Sequence, residues 1–248
     1  GDLQQRLSKT GIFHKVMTLD EKREEFFPQL AKYRQNYSNI LKHMVNRIIF
    51  TKKLAKCEEP YMTIDFASYQ DIYVFCDSDP IGYYLNYKKI PYHAVEDGLD
   101  CLKNLDDAYV ANHGHFKLKA WFSRHNLIFI MNGWGKYCLD MEINDRSVVP
   151  TDCPRFVEVP RKPLEKALTS EQKKLMIQAF IPDADALLAQ LQPRYDGEEF
   201  VMFLTEPHPV DEEARKKVCL DIVAQFGKGY RVLIKPHPRD MIDYTALC

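Results

Sequence analysis

Residues 200 to 240 spell out one strand–helix–strand unit, and this most restricts what the chain can fold into. Phe200-Val-Met-Phe-Leu204 and Arg231-Val-Leu-Ile-Lys235 are short apolar runs that read as buried strands. Between them Val210 to Phe226 reads as a helix. Asp211, Glu212 and Glu213 stand at its start, where the helix dipole favours acids, and Gly227 and Gly229 end it. Two strands joined through a helix lie parallel. The loops after both strands then fall at one sheet edge, where α/β proteins bind ligands.

The second of those loops carries the densest chemistry in the chain. Lys235-Pro-His-Pro-Arg-Asp240 places two cations, Lys235 and Arg239, around His237, between Pro236 and Pro238. Arginine grips a phosphate through a planar fork and lysine as a point charge. A histidine between them can donate a proton to a phosphate oxygen. A rigid turn with solvated charges fits the same residues. Pro-His-Pro recurs at residues 207 to 209 without flanking cations, which favours a loop-shaping role, with Thr205 and Glu206 before it able to touch a ligand. No third ligand has metal-site spacing with these histidines, so no metal is expected.

Upstream, the alternation continues. Asp71 to Cys76 reads as a strand buried on both faces, Ile81 to Leu85 as a helix opened by Pro80, and Pro91 to Val95 as a strand. Glu96-Asp97-Gly98 ends that strand, with a helix expected over Leu99 to Leu105. Adjacent acids repel, which raises one pKa, and a glycine lets a substrate approach the backbone. A carboxylate here can take a proton from an alcohol, or the turn can simply cap the next helix. Asp77-Ser-Asp79 resembles a divalent-metal pair but reads better as helix capping. Further strands are expected over Ile12 to Leu19, Leu127 to Met131, Tyr137 to Ile143 and Phe156 to Val159. Helices are expected over Asp2 to Lys9, Glu21 to Arg34, Tyr37 to Lys56, Thr169 to Phe180 and Asp183 to Leu191, while Phe116 to Asn126 carries Lys117, Lys119 and Arg124 among aromatics. The Tyr37 to Lys56 helix carries only positive charges, which suits either a solvated face or contact with anionic lipid.

Prolines 150, 154, 160 and 163 crowd one section, so residues 151–164 are read as a linker between domains at 1–150 and 165–248. Both domains are read as incomplete, since the chain opens without a first strand and stops at Cys248 soon after the charged turn. Composition narrows the class. A net charge of −1 argues against a protein built to hold nucleic acid. Seven scattered cysteines with no Cys-x-x-Cys pair suit a reducing cytoplasm. No P-loop or dinucleotide-binding fingerprint is present.

The pairing of Glu96-Asp97-Gly98 with a distant strand followed by His237-Pro238 resembles the bacterial sialyltransferases, and most closely glycosyltransferase family 52, which includes lipooligosaccharide sialyltransferases. The resemblance implies an α/β, GT-B-like fold of two Rossmann-like domains with a cleft between them. It implies inverting, metal-independent transfer of sialic acid from CMP-sialic acid to a hydroxyl of a cell-surface glycan, such as a lipooligosaccharide or capsule, with no cofactor. Asp97 would be the general base and His237 the general acid. Glu96 and Gly98 would place the base and Pro238 would shape the acid's loop. Lys235, Arg239 and Thr205 are added as donor contacts from their charge and position. The implied partners are a nucleotide-sugar donor and a glycan acceptor. The implied location is the cytoplasm, at the inner face of the membrane if the basic helix meets lipid. A serine- or threonine-containing motif of the family, expected after His-Pro, lies beyond Cys248. A CDP-polyol phosphotransferase of cell-wall polymer synthesis and a non-catalytic binding protein on a degenerate transferase fold are the alternatives.

Overall fold

The computed structural model describes residues 2–33, 37–98, 112, 114–149, 151–181, 183–195, 197, 199–206, 211–237 and 240–245. The chain divides into two compact units, Gly1–Leu175 and Met176–Cys248. The first holds α1 (Asp2–Lys9), α2 (Ile40–Glu58), β1 (Tyr73–Phe75), α3 (Ile81–Lys88), β2 (Tyr92–Val95), α4 (Phe116–Arg124), β3 (Cys138–Ile143), β4 (Phe156–Glu158) and α5 (Arg161–Ala167). Helix α6 (Ser170–Phe180) runs across the boundary, and the second unit holds α7 (Ala184–Tyr195), β5 (Phe200–Leu204), α8 (Glu212–Phe226) and β6 (Arg231–Lys235).

The four strands of the first unit pair in chain order and all in parallel. Alternation across the strands sorts their side chains into two faces. Tyr92, Ala94, Met141, Ile143 and Phe156 turn to the core, where Met44, Tyr84, Leu85, Phe116 and Ala120 from α2, α3 and α4 meet them. Burying each large apolar side chain contributes about 1.5–3 kcal/mol. The other face carries Tyr73, Phe75, His93, Asp140, Glu142 and Val157. There the Tyr73 ring stacks on His93 with centroids 4.7 Å apart, and His93 Nδ1 lies 2.8 Å from Asp140 Oδ1.

In the second unit β5 and β6 pair in parallel, with Phe200 opposite Arg231 and Leu204 opposite Lys235. Helix α8 covers one face, packing Cys219 and Val223 against Phe203 and Ile234, with Ile242 and Tyr244 closing the cluster. A reciprocal capping box starts α6. Thr169 Oγ1 accepts from the Gln172 backbone N–H at 3.2 Å, and Gln172 Oε1 accepts from the Thr169 N–H at 2.9 Å.

Several expectations need correction. Neither β1 nor β5 is buried on both faces: Phe75 is 70% exposed, and Phe200, Met202 and Leu204 are all exposed. Residues 12–19 form no strand, because they have no ladder partner. Gln4 holds that segment to α1 instead, donating to Val16 O at 3.1 Å and accepting from Thr18 Oγ1 at 2.8 Å. The helix expected over Glu21 to Arg34 is two 3₁₀ segments, Glu24–Phe26 and Pro28–Tyr33. Pro28, which has no N–H to donate, interrupts the ladder. Residues 127–131 form no strand, although Ile128, Phe129 and Ile130 are deeply buried. Their backbone turns back on α4, with Leu127 N–H donating to Phe122 O at 3.0 Å and Ile130 N–H to Ser123 Oγ at 3.1 Å. The section read as a linker, 151–164, carries β4 and opens α5. Its prolines fit there because Pro154 precedes the strand, Pro160 caps α5 and Pro163 lies in the first helical turn, where no N–H is required. The helix expected over Leu99 to Leu105 lies outside the described residues. No helix among the described residues is long and apolar enough to cross a membrane.

A second core cluster, Phe27, Leu30, Phe50 and Leu54, borders the end of α2. Here Glu58 is fully buried, and among the described residues no donor reaches either of its carboxyl oxygens or Asp79 Oδ1. Burial, and then the adjacent Asp79 carboxylate, push the Glu58 pKa up to about 11. Glu58 is therefore protonated at neutral pH, and its O–H supplies the hydrogen bond that the pair otherwise lacks. The folded state keeps a proton that the unfolded chain releases above its ordinary pKa of 4.5. Stability therefore falls as pH rises from that value towards about 11. Glu58→Gln should retain the fold and flatten this dependence. Its melting temperature should exceed that of the unsubstituted protein by an amount that grows between about pH 6 and about pH 9 in thermal melts, at up to about 1.4 kcal/mol per pH unit.

Candidate functional site

The carboxyl ends of the parallel strands gather the candidate residues, in each unit separately. In the first unit the ladder continues one step past β2, where Glu96 N–H donates to Glu142 O at 2.9 Å. Glu96 Oε2 then accepts from the Asn144 backbone N–H at 2.6 Å. Asn144 Oδ1 accepts from the Arg161 N–H at 2.8 Å, and Arg161 Nη1 returns to Glu142 Oε2 at 3.3 Å. Glu96 is thus tied into the sheet edge. Asp97, the next residue, is exposed and makes no hydrogen bond or ion pair among the described residues. Gly98 has φ +107°, with open space where a Cβ would stand, so backbone conformation rather than packing calls for glycine there.

The end of β1 is built around a different acid. Asp77 is fully buried. It accepts from Tyr92 Oη at 2.7 Å, from Gly133 N–H at 3.4 Å and from Asn132 N–H. Asn86 extends the network, donating to Tyr92 Oη at 3.0 Å and accepting from the Tyr137 N–H at 3.0 Å. Burial outweighs these hydrogen bonds and pushes the Asp77 pKa up to about 6. Gly82 approaches so closely that a Cβ would lie 2.2 Å from Asp77 O. Asp77 and Asp79 do not cap α3: Asp79 Oδ2 accepts from the Glu24 N–H at 2.8 Å, and Pro80 provides no side-chain cap. Among the described residues no three His, Cys, Asp or Glu side chains gather as a metal-binding group.

In the second unit the loops after β5 and β6 are locked together by Asp240, a residue to which sequence reading assigned no role. Asp240 Oδ2 accepts from Thr205 Oγ1 and Tyr244 Oη, each at 2.7 Å. Its Oδ1 accepts from Arg215 Nη1 at 3.0 Å and from the Ile242 N–H at 3.2 Å. The His237 N–H donates to Thr205 Oγ1 at 3.1 Å, and Asp240 N–H donates to His237 O at 2.8 Å. The backbone of His237 is held from both sides. Thr205, singled out as a ligand contact, has its hydroxyl engaged as donor and acceptor in this brace. Burial works to raise the Asp240 pKa, but hydrogen bonds from Tyr244, Thr205 and Ile242, with the Arg215 cation, hold it below the usual carboxylate value. Lys235 is exposed, its Nζ donating to Pro236 O at 3.2 Å. Pro238 and Arg239 lie outside the described residues.

Beside this brace is a pocket of about 170 Å³. Phe203, Val218 and Ile222 make its apolar wall, with Thr205, Glu206 and Arg215 at its polar side. Buried Arg215 Nε has no acceptor among the described residues. Asp240 stood in the same charged turn as His237, and Tyr244 follows it by four residues. What the sequence does not carry is the return of α8 that brings Arg215 onto it.

These two strand-end sites belong to one family match. The chain matches the model of glycosyltransferase family 52 over residues 8–247, and it belongs to that family. It is therefore a transferase enzyme that acts on a nucleotide-sugar donor and a glycan acceptor. No curated protein and no solved structure matches it.

The Asp240 brace makes a direct prediction. Thr205→Val deprives Asp240 of one donor and the His237 N–H of its acceptor, and should cost about 1–3 kcal/mol in urea denaturation. Because the folded Asp240 pKa is depressed, its contribution is complete above the unfolded value of 3.8 and is lost as pH falls through the folded one. Asp240→Asn should remove that acid-side loss.

Proposed function

We propose that this enzyme transfers sialic acid from CMP-sialic acid to a hydroxyl of a cell-surface glycan, with inversion and without a metal ion. The family match carries the reading, since one model spans both the Glu96-Asp97-Gly98 and the His237-Pro238 segments. In this reading the two units are the Rossmann-like halves of a GT-B enzyme working in the cytoplasm.

Asp97 is the general base. Its exposure at a strand end and its lack of a partner among the described residues support this role, while Glu96 and Gly98 set its position. It takes the proton of the acceptor hydroxyl as that oxygen attacks the anomeric carbon. The bond from that carbon to the phosphate oxygen breaks, and CMP leaves from the opposite face. His237 gives a proton or a hydrogen bond to the departing phosphate oxygen, from a backbone held at N–H and C=O. Lys235 and Arg239 neutralise the phosphate charge, and Pro238 shapes the turn. Thr205 acts here as the brace of His237. Without a metal, these cations and the imidazole carry the leaving-group stabilisation.

Asp97→Asn and His237→Ala should each lower turnover of CMP-sialic acid by at least about 100-fold. Melting curves should be unchanged for Asp97→Asn. Near-normal turnover by either variant would remove that residue from its role. In a thermal-shift series CMP and CMP-sialic acid should protect the protein more than UDP, GDP or CDP-glycerol. Preferential protection by UDP or GDP would refute the donor assignment, and CDP-glycerol protection would point to a polyol-phosphate transferase.

A further inference from the structure

The outward side of α2 is used by neither the core nor the candidate site. Its inward side packs Met44, Phe50, Leu54 and Ala55 and buries Glu58. Leu41, Val45, Ile49, Lys52 and Lys56 follow at three- and four-residue spacing along the outward side, with Lys42 and Lys53 beside them, and all are exposed. Leu41 is 75% and Val45 58% exposed. The stripe is therefore aliphatic over its first half and cationic over its second. The only acid on the helix is the buried Glu58, so nothing on the stripe offsets its charge. Two of the lysines are held by aromatic rings, Lys42 over Tyr37 at 4.3 Å and Lys53 over Tyr33 at 5.5 Å.

A neighbouring helix repeats the combination. Lys119 of α4 lies near enough to His43 of α2 that its charge, after burial, helps to lower the His43 pKa. On the outward side of α4, Leu118 and Trp121 are exposed between Lys117 and Arg124. Tryptophan beside basic residues suits the headgroup level of a bilayer.

We propose that α2 is a docking surface for an anionic lipid bilayer. Leu41, Val45 and Ile49 enter the boundary between headgroups and acyl chains, and Lys42, Lys52, Lys53 and Lys56 pair with lipid phosphates. Charge complementarity selects an anionic partner. The exposed aliphatic row selects a bilayer over a nucleic acid, whose backbone offers nothing to Leu41 or Val45, and the chain's net charge of −1 agrees.

Vesicle co-sedimentation of the full chain tests this. Phosphatidylcholine vesicles containing phosphatidylglycerol should bind the protein, plain phosphatidylcholine vesicles should not, and added salt should release it. Lys52→Gln, Lys53→Gln and Lys56→Gln combined should weaken binding on the order of 100-fold. Leu41→Ser with Val45→Ser should weaken it at low salt as well, whereas Lys173→Gln with Lys174→Gln on α6 should not. All these side chains are exposed, so circular dichroism should show each variant folded. The proposal fails if anionic vesicles bind no protein, if neutral vesicles bind equally, or if the triple variant binds as the unsubstituted chain does. Capture by duplex DNA as tightly as by anionic vesicles would also overturn it, in favour of a nucleic-acid surface.

Discussion

A carboxylate without water is expensive unless donors surround it, and the first unit is arranged around one. Asp77 takes donors from β2, through Tyr92, and from the turn at Asn132 and Gly133. Removing that carboxylate would leave a hydroxyl and two backbone N–H groups buried without their acceptor. Gly82 packs against the Asp77 backbone carbonyl, and Asn86 donates to the Tyr92 hydroxyl that in turn donates to the acid. Asp77 thereby ties the loop after β1 to the first residue of β2, while Cys76 N–H, donating to Val95 O at 2.8 Å, joins the carboxyl ends of the two strands, and Glu96 to Gly98 continue directly from β2.

The second unit uses the same device with different surroundings. Asp240 stands beyond β6 as Asp77 stands beyond β1, and each draws loops from other elements onto one carboxylate. The electrostatic outcomes differ. Asp77 is held by a hydroxyl and backbone N–H groups and accepts from no cation among the described residues, so burial dominates and raises its pKa. Asp240 has Arg215 and two hydroxyl donors, and its pKa is lowered. A parallel strand needs a crossover, and its carboxyl end therefore opens into a loop. In the second unit the buried acid stiffens the loop that carries His237, whereas in the first unit Asp77 follows β1 and Asp97 follows β2, the strand whose Tyr92 donates to Asp77. The rigid acids and the proposed reactive groups are separate residues in both units.

Local sequence made some elements legible and hid others. The limits of β5 and β6 follow from their apolar runs, and the capping box at Thr169 and Gln172 is written in the residue types. The segment around Ile128 to Ile130 misled because apolarity reports burial, not ladder bonding. Its N–H groups went to α4 instead. Glu96 and Asp97 are indistinguishable as neighbouring acids, yet one is tied to Asn144 and the other faces solvent. Alternation at a strand end decides that, and it depends on register. Asp240 was in view as part of the charged turn, but its four donors come from three separate segments.

The sequence by itself determined the α/β class, the position of most strands and helices, and the membership of glycosyltransferase family 52, because these rest on periodicity and on motifs read along the chain. Tertiary structure alone decided which sheet faces stay open and which acids are internal. It also decided that Glu58 is protonated and that His237 is braced by Thr205 and Asp240. Such facts depend on distances of a few ångströms between residues remote in sequence. The pKa of a buried carboxyl is set by what surrounds it, and no local pattern encodes those surroundings.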